Sequence, residues 1–310
     1  MPITADANAE VIATFGRHLL LEDTAGNAVL ARPRGRHLDI VCGDRVRCEF
    51  PGGSEAIVAA VLPRKTLLRR SNLRGQSEAL VANLTQLAPI LAPLPKPDPY
   101  MIDRYLAAAS CAGVRALLVL NKQDLPAPES LNADLAAWRS AGYEVLQVSA
   151  HDPASLVRLR ERLAGEVTAL VGQSGVGKSS LIRALARAGH EIEIGELMRK
   201  DEGRHTTTAA RLYECTTGGR IIDSPGVRDF APAIDDLRPP AMGFDDVHAL
   251  ATQCRFQDCR HMQEPKCAVR TAVDAGQLDA RRYDSYRRLR RLYEELWEKR
   301  PASEQAHRPG

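Results

Sequence analysis

The sequence predicts a multidomain protein with a small N-terminal β-barrel, a central α/β domain with a parallel sheet, and a mainly helical C-terminal domain. Three observations support this organisation. Short β-type runs separated by Gly and Pro fill the first 75 residues, apolar strands then alternate with amphipathic helices, and three cysteines crowd into residues 254–267. The 310 residues are enough for two or three domains of roughly 100–200 residues each.

Composition excludes several classes of protein. A hydrophobic fraction of 44% excludes wholesale disorder, and no apolar run approaches the roughly 18–20 residues of a membrane helix. The 42 Lys and Arg nearly balance the 39 Asp and Glu, so nucleic-acid binding would have to come from local patches. The first 20 residues show no secretory pattern, and seven cysteines do not suggest a disulfide framework. We therefore expect a cytoplasmic protein with reduced cysteines and without a membrane partner.

The N-terminal barrel is predicted over residues 1–75, from β-type runs at residues 10–15, 37–41, 45–50 and 56–62. Turn signals such as Cys42-Gly43-Asp44 separate these runs. A basic run closes the segment, and it fits either a solvated linker or a set of phosphate contacts. The run contains Arg64, Lys65, Arg69, Arg70 and Arg74.

The central domain is predicted over residues 76–235, with strands at 117–120, 144–148, 168–171 and 220–222. Helices are expected at 131–139, 155–163 and 179–188, which together indicate a doubly wound fold. Residues 88–94 should form a strand by position, but Pro89 and Pro93 interrupt them. Because proline cannot donate to a sheet ladder, we expect an edge strand or one that ends early.

A phosphate-binding loop is the strongest motif in the chain. The pattern G-x-x-x-x-G-K-[ST] follows an apolar strand and opens a helix, as phosphate binding requires. Its backbone N–H groups and the helix N-terminus would face phosphates, Lys178 would reach the β- and γ-phosphates, and Ser179 would bind Mg²⁺. The alternative is a Gly-rich turn that only caps a helix. The predicted nucleotide-binding residues here are Gly172, Gln173, Ser174, Gly175, Val176, Gly177, Lys178, Ser179 and Ser180.

A base-reading loop follows the strand at 117–120, with the sequence Asn121, Lys122, Gln123 and Asp124. An ionised Asp124 would accept hydrogen bonds from guanine N1–H and the 2-amino group, whereas adenine offers no such donors there. Alone, the loop could be an ordinary Asn/Asp turn. After the next strand, the backbone of Ser149 and Ala150 could complete the base pocket.

Asp223-Ser-Pro-Gly226 completes the set of nucleotide-binding elements. Asp223 would hold the Mg²⁺ shell through water, and the Gly226 N–H would sense the γ-phosphate; the alternative is a Pro-Gly turn. These are the elements of a GTPase, but the base-reading loop precedes the phosphate loop. The order indicates a circularly permuted domain, which keeps the pocket intact.

A polar segment, Gly203-Arg-His-Thr-Thr-Thr208, lies between the phosphate loop and Asp223. We expect Thr207, or one of its threonine neighbours, to complete the Mg²⁺ coordination when the γ-phosphate is present. Val227 stands where Ras-like enzymes carry the water-orienting Gln. His205 is the candidate to orient water instead, with a solvated or partner-contacting histidine as the equal alternative.

The Cys-rich cluster supplies the ligands of a closed, tetrahedral structural Zn²⁺ site. Its four candidate ligands are Cys254, Cys259, His261 and Cys267, and His248 is the substitute if His261 does not bind. The segment around them is polar, so the metal would supply folding energy. Free cysteines beside a histidine are the alternative. This zinc-binding helical domain is predicted over residues 236–310.

With these motifs in place, the chain resembles the ribosome small-subunit-dependent GTPases, circularly permuted GTPases of bacterial ribosome assembly. Arg34-Gly35-Arg36 and Gly43-Asp44-Arg45-Val46 are similar to that family's oligonucleotide-binding (OB-fold) barrel, and the Cys/Cys/His/Cys spacing is similar to its zinc motif. Asn83-Leu84-Thr85-Gln86 departs from the family's Asn-Val-Asp-Gln-like element. The departure affects the first strand of the GTPase domain and not the assignment.

The resemblance implies binding to the immature 30S subunit and its 16S rRNA, GTP hydrolysis stimulated by that subunit, and help with late maturation. It also implies one structural Zn²⁺, Mg²⁺ with GTP, and a monomeric chain. The RNA contacts would come from the basic run and from Arg287, Arg288 and Arg291 on the C-terminal helix. Two other readings compete: a P-loop ATPase or kinase, and a nucleic-acid-binding module with a vestigial nucleotide site.

Overall fold

The computed structural model describes residues 8–16, 18–35, 38–49, 55–72, 74–187, 210–224, 232–233, 235–237 and 241–300. An eleven-stranded sheet runs through these residues in the order β10-β9-β8-β11-β13-β12-β1-β2-β3-β5-β4. Its two ends are different structures, because one end is a layered α/β sheet and the other curls into a barrel. No helix in this described part of the chain is both long and apolar enough to cross a membrane.

The N-terminal barrel contains β1 (Asn8–Phe15), β2 (His18–Asp23), β3 (Ala28–Pro33), β4 (Arg45–Glu49) and β5 (Ala56–Val61). Pairing of β1 with β4 closes the five strands around a small apolar core. The predicted barrel is therefore confirmed, although two details of its strand prediction are wrong. Residues 38–41 belong to no strand, and β2 and β3 occupy a stretch where no strand was predicted.

The central domain has a parallel sheet with helices on both faces. Its strands are β8 (Gln86–Leu91), β9 (Arg115–Leu120), β10 (Glu144–Gln147), β11 (Val167–Val171), β12 (Ala210–Glu214) and β13 (Arg220–Asp223), and only β12 runs antiparallel to its neighbour within this set. Helices α1 (Pro99–Ala112) and α2 (Glu129–Ser140) bury one face, and α3 (Val157–Leu163) and α4 (Lys178–Leu185) bury the other. The predicted α/β architecture is confirmed.

Strand β8 decides between the two alternatives for residues 88–94: it ends early, at Leu91 and before Pro93, but it is not an edge strand. It lies inside the sheet between β9 and β11, and it is buried along its whole length. Pro89 sits in register with Val171 of β11, while the ladder to β9 has no paired residues at Ala88 and Pro89. A central strand thus tolerates proline here because the missing N–H interrupts only one of its two ladders.

A two-stranded hairpin, β6 (Leu67–Ser71) and β7 (Ser77–Ala82), connects the barrel to the central domain. The predicted boundary between residues 75 and 76 falls in the turn of this hairpin. Asn83, directly after it, donates from Nδ2 to the Gly43 carbonyl at 2.8 Å and accepts from the Lys65 N–H at 2.9 Å. The side chain therefore ties the start of the central domain to the barrel.

The barrel also extends the central sheet directly. Residues Ala13 and Thr14 of β1 pair antiparallel with Arg211 and Ala210 of β12. An ion pair between Arg220 of β13 and a half-buried Glu10 of β1 reinforces this junction. The two domains therefore share one hydrogen-bonded sheet rather than meeting at side chains alone.

The C-terminal region contains α5 (Asp245–Ala251), α6 (Ala268–Asp274) and α7 (Ala280–Glu298) around a separate apolar cluster. The Asp279 carboxylate caps α7 by accepting from the Arg282 N–H at 2.9 Å. Apolar residues of α7 such as Tyr286, Leu289 and Tyr293 face this cluster. The predicted helical C-terminal domain is confirmed.

A buried ionic network fastens this region to the central domain. Asp103 of α1, fully buried, accepts from Trp138 Nε1 at 2.7 Å and from Arg282 Nη1 at 2.8 Å, while its other oxygen accepts from Arg281 at 2.7 Å. Arg282 also donates twice to Asp246 of α5. Burial opposes the charge on Arg282, but the hydrogen bonds that it donates to Asp246 and the charge of Asp103 raise its pKa. The network therefore holds α1, α5 and α7 together.

Candidate functional site

The phosphate loop runs from the end of β11 into α4, and its glycines are required by close backbone contacts. Gly172 has φ of 139°, and a Cβ there would lie 2.3 Å from the Ile90 carbonyl oxygen of β8. Gly177 has φ of 93°, and its Cβ would lie 2.3 Å from Nδ2 of Asn121. The loop therefore packs against β8 at Gly172 and against the Asn121 side chain of the base-reading loop at Gly177, and a side chain at either position would clash.

Lys178 begins α4 and folds back over the loop. Its Nζ donates to the carbonyl oxygens of Gly172 at 2.5 Å and Gln173 at 2.7 Å, and its side chain is mostly buried. The cation is thus held inside the loop at the helix N-terminus, where an anion is favoured. Ser179 is exposed beside it, with its hydroxyl available for a metal ion.

Asn121 connects the base-reading loop to the other two parts of the pocket. Its Nδ2 donates to the Val176 carbonyl of the phosphate loop at 2.9 Å, and its Oδ1 accepts from the Ala150 N–H at 3.1 Å. The side chain is buried, so the bond to Val176 is shielded from water and the bond from Ala150 is partly shielded. Asn121 therefore fixes the positions of three segments that are far apart in the sequence: the base-reading loop, the phosphate loop and the segment at Ala150.

Lys122 makes a parallel connection on the exposed side. Its Nζ donates to Gly175 of the phosphate loop at 2.7 Å and to Leu94 at 2.9 Å, and its backbone adopts a left-handed conformation with φ of 59°. Leu94 belongs to the loop between β8 and α1 and exposes its side chain. This contact was not predicted from the sequence, since nothing marks Leu94 as an acceptor.

Asp124 lies exposed at the mouth of the pocket beside Ser149. A hydrogen bond from the Ser149 side chain, together with a backbone N–H, lowers the pKa of Asp124. The carboxylate is therefore ionised at neutral pH and can only accept hydrogen bonds. A guanine edge presents two donors to such a group, and an adenine edge does not.

Asp223 ends β13 on the same carboxyl edge of the sheet. Its Oδ1 is buried and has no hydrogen-bond partner among the described residues, which is the condition expected of an oxygen that serves the water shell of a cation. The other predicted residues of this region, Thr207, Gly226 and the candidate His205, lie outside the described residues. Val227 lies outside them too.

The four predicted metal ligands come together. Their ligand atoms all lie within 4.8 Å of one another, and the cluster could hold a metal ion. The His261 Nδ1 is 3.5 Å from the Cys254 sulfur and 3.4 Å from the Cys267 sulfur, and the two sulfurs are 4.0 Å apart. Metal–sulfur bonds of about 2.3 Å and metal–nitrogen bonds of about 2.0–2.1 Å give tetrahedral edges of about 3.5–3.8 Å. The donor set therefore fits a tetrahedral ion.

The loop that carries these ligands is shaped by hydrogen bonds. The Glu264 carboxylate accepts from the backbone N–H groups of Arg260 at 3.1 Å and Met262 at 2.8 Å. Tyr283 and Tyr286 of α7 donate to the carbonyls of His261 and Arg260. Burial lowers the pKa of His261, so the imidazole is neutral. One of its two ring nitrogens then carries no proton and can bind a metal ion. Glu264 and both tyrosines were missed in the sequence, because a ligand motif gives no sign of its supports.

The predicted RNA-contact residues fall into two groups. In the basic run, Arg64 is paired with the buried Asp44 at 2.7 Å, Arg69 is paired with Asp236, and Arg70 is paired with Glu78 at 2.9 Å. On α7, Arg288 and Arg291 are exposed and Arg287 is half-buried. Lys65 and Arg74 are both exposed. The α7 arginines are thus more open to a partner than the three paired arginines of the basic run.

Comparisons with known proteins agree with this geometry. A model of the RsgA GTPase family matches residues 61–232. A small ribosomal subunit biogenesis GTPase RsgA of Ectopseudomonas mendocina is 40% identical over 287 residues, covering 90% of this chain and 83% of the relative. The protein of the same name from Azotobacter vinelandii is 40% identical over 292 residues, covering 92% and 85%.

Two solved structures share the fold. The crystal structure of YjeQ from Thermotoga maritima has a TM-score of 0.68 and 28% identity, covering 94% of this chain and 98% of that one. The structure of YloQ, described as a circularly permuted GTPase, has a TM-score of 0.68 and 24% identity, covering 96% of each chain.

The sheet order, the phosphate loop after β11 and the base-reading loop after β9 define a circularly permuted P-loop GTPase. Its OB-type barrel precedes the permuted domain, and a helical region with a Cys/His cluster that could hold a metal ion follows it. The chain belongs to the RsgA GTPase family.

Proposed function

We propose that this protein binds the small (30S) ribosomal subunit, assists its late maturation, and hydrolyses GTP to GDP and phosphate with stimulation by the subunit. The relatives named small ribosomal subunit biogenesis GTPase RsgA support the ribosomal role. The observation that carries the nucleotide assignment is Asn121, whose two buried bonds join the phosphate loop to the segment beside Asp124. That arrangement supports guanine recognition over a P-loop ATPase or kinase.

The site residues have distinct roles in this proposal. Lys178 and the phosphate-loop N–H groups bind the β- and γ-phosphates, and Ser179 and Thr207 coordinate Mg²⁺, with Asp223 holding its water shell. Mg²⁺ supplies charge neutralisation as the phosphoryl group transfers to water. His205 orients that water, because Val227 cannot hydrogen-bond it.

We further propose that the metal bound by Cys254, Cys259, His261 and Cys267 is a single structural Zn²⁺. Three thiolates and one imidazole suit this ion, and four protein ligands leave no open position for catalysis. The metal would then stabilise the loop against α7 rather than take part in GTP hydrolysis.

The proposal includes a monomeric protein in the cytoplasm, with domains at residues 1–75, 76–235 and 236–310. The barrel and the basic residues Arg64, Lys65, Arg69, Arg70, Arg74, Arg287, Arg288 and Arg291 are proposed to contact 16S rRNA. Exposed members of this set would contact phosphates, whereas the paired arginines would shape the surface around them.

Steady-state GTPase turnover with and without purified 30S subunits tests the proposed function. We expect slow turnover alone, a rise of more than tenfold with subunits, and little binding of ATP. A second arm uses Asp124→Asn, which should lose GTP affinity by about 100-fold and gain affinity for xanthosine triphosphate, whose 2-oxo group accepts from the new amide. Equal ATP and GTP binding, or no response to subunits, would overturn the proposal. Full stimulated turnover in His205→Ala would remove His205 from the mechanism.

A further inference from the structure

The segment between β10 and α3 turns back on itself beside the base-reading loop. It runs from Ser149, which is buried, through four exposed residues at 151–154 to the half-buried Ser155. The Ser149 side chain forms a hydrogen bond with Asp124, the carboxylate at the mouth of the nucleotide pocket. The position of Ser149 therefore helps to set the position of that carboxylate, and a group that holds Ser149 contributes to base recognition.

The Ser155 hydroxyl holds Ser149 by its backbone. The Oγ atom of Ser155 accepts from the Ser149 N–H at 2.9 Å. It also lies 2.8 Å from the Asp152 carbonyl oxygen and 3.2 Å from the Ser149 carbonyl oxygen. A hydroxyl has one proton and two lone pairs, so it can accept from the amide and donate to the nearer carbonyl at the same time. One side chain thus connects the first residue of the segment to its middle and to its end.

The backbone on either side of Ser155 is itself anchored. Leu156, the next residue, is 1% exposed and packs with Leu159 in the apolar cluster beneath α3 and α4. Arg160 of α3 donates from Nη1 to the Pro153 carbonyl at 3.3 Å. A hydroxyl on an anchored backbone loses little conformational freedom when it forms its bonds. Ser155 can therefore keep the segment in place before a nucleotide binds.

The first two residues of the segment are held by two different side chains. Asn121 Oδ1 accepts from the Ala150 N–H at 3.1 Å. Ser155 accepts from the neighbouring Ser149 N–H, and unlike Asn121 it belongs to none of the nucleotide-binding motifs. Removal of the Ser155 hydroxyl would leave the Ser149 N–H without its partner, and an unpaired donor in a buried residue is costly. The segment would then shift until that N–H found another acceptor.

We infer that Ser155 is a positioning residue for guanine recognition, whose hydroxyl holds the Ser149–Ala150 segment in register with Asp124. Ser155 acts through this segment rather than by contact with the nucleotide. The inference rests on the proposed function, because it assumes that the base beside Asp124 is guanine. Its effect is limited to the base, since the phosphate loop is held by separate contacts such as those of Lys178.

The test compares the dissociation constants of GDP and ADP, each measured by displacement of a fluorescent GDP analogue from the full-length protein. We expect Ser155→Ala to bind GDP about tenfold more weakly and to bind ADP as the wild type does. The preference for GDP over ADP should therefore fall about tenfold. A role in stability alone would lower the melting temperature of the nucleotide-free protein and leave this preference unchanged.

Threonine and valine at this position separate the hydroxyl from the shape of the side chain. Ser155→Thr keeps a hydroxyl and should restore most of the preference for GDP. Ser155→Val has nearly the same shape as the threonine variant but no hydroxyl, so it should behave as Ser155→Ala does. The comparison of these two variants remains informative even where Ser155→Ala lowers the stability of the protein.

Ser110→Ala is the matched control. Ser110 is also half-buried, and its hydroxyl donates to Asp245 at 2.8 Å, away from the nucleotide site. This variant should keep the wild-type preference. The inference is overturned if Ser155→Ala keeps that preference, if it weakens GDP and ADP equally, if the threonine and valine variants behave alike, or if the control loses as much. Wild-type protein that binds ADP as tightly as GDP contradicts the proposed function instead.

Discussion

The nucleotide site and the metal centre differ in what their polar side chains contact. In the nucleotide site, Lys178, Asn121 and Lys122 donate to backbone carbonyls of the surrounding loops. In the metal centre, three thiols and an imidazole face one another, and burial raises the pKa of the Cys259 and Cys267 thiols. The first site is held in shape by the chain itself, whereas the second brings together donor atoms that could hold a metal ion.

The two sites also differ in how each is related to the stability of its domain. Hydrogen bonds in the phosphate loop are supported by the central sheet, whose cores lie on both faces. The metal loop has Glu264 and two tyrosines as supports, and its cysteines form part of the small C-terminal cluster. Loss of the nucleotide should therefore leave its domain folded, and loss of the metal should unfold the C-terminal loop.

The largest expected effect is the loss of metal. Cys259→Ser should lower the bound metal from one ion per chain to nearly none and make the region around residues 254–267 sensitive to protease, because structural Zn²⁺ contributes about 10–16 kcal/mol in small metal-folded domains. Metal analysis by mass spectrometry and limited proteolysis measure both outcomes. Cys111→Ala is the matched control, since Cys111 lies outside the cluster, and it should retain the metal. A Cys259→Ser protein that also lost GTP binding would contradict the separation of the two sites.

The next effect concerns the bonds that hold the nucleotide site. Asn121→Ala removes the donor to the Val176 carbonyl and the acceptor for the Ala150 N–H. We therefore expect GDP affinity to fall by about 30–100-fold, or about 2–3 kcal/mol. Calorimetric titration measures the affinity, and a thermal melt shows whether the domain stays folded. Asn132→Ala, an exposed asparagine on α2, is the control and should bind normally. Normal binding by Asn121→Ala would mean that the loops keep their geometry without this bridge.

The motifs of both sites could be predicted because their chemistry fixes local sequence. Gly172 and Gly177 lie at positive φ where a Cβ would clash with the Ile90 carbonyl or the Asn121 side chain, and three cysteines with a histidine are a typical donor set for a structural metal ion. The supports could not be predicted in the same way. Lys122 donates to the backbone carbonyl of Leu94. Because any residue can supply a backbone carbonyl, the sequence does not show which one accepts.

Long-range contacts explain the errors in the fold prediction. Strand β2 lacks alternation because Leu20 packs into the central-domain cluster while Leu19 and Leu21 pack into the barrel. Part of the basic run forms the hairpin strand β6, in which Arg69 pairs with Asp236, 167 residues away. A central strand tolerates Pro89 because the ladder between β8 and β11 continues past it. None of these partners is visible in a local pattern.

The smallest expected effect concerns the pH dependence of base recognition. The Ser149 hydrogen bond lowers the pKa of Asp124. The carboxylate therefore stays ionised down to a lower pH than that of an ordinary aspartate. The ratio of GTP to ATP affinity should therefore stay constant from about pH 8 to pH 5. The ratio is the useful measure, because phosphate ionisation affects both nucleotides alike. Ser149→Ala should raise the pKa of Asp124 toward its usual value and move the loss of selectivity to slightly higher pH. A ratio of GTP to ATP affinity that falls near pH 6 would show that a group other than Asp124 recognises the base. The nucleotide site would then depend on that titrating group, much as the metal centre depends on its ion.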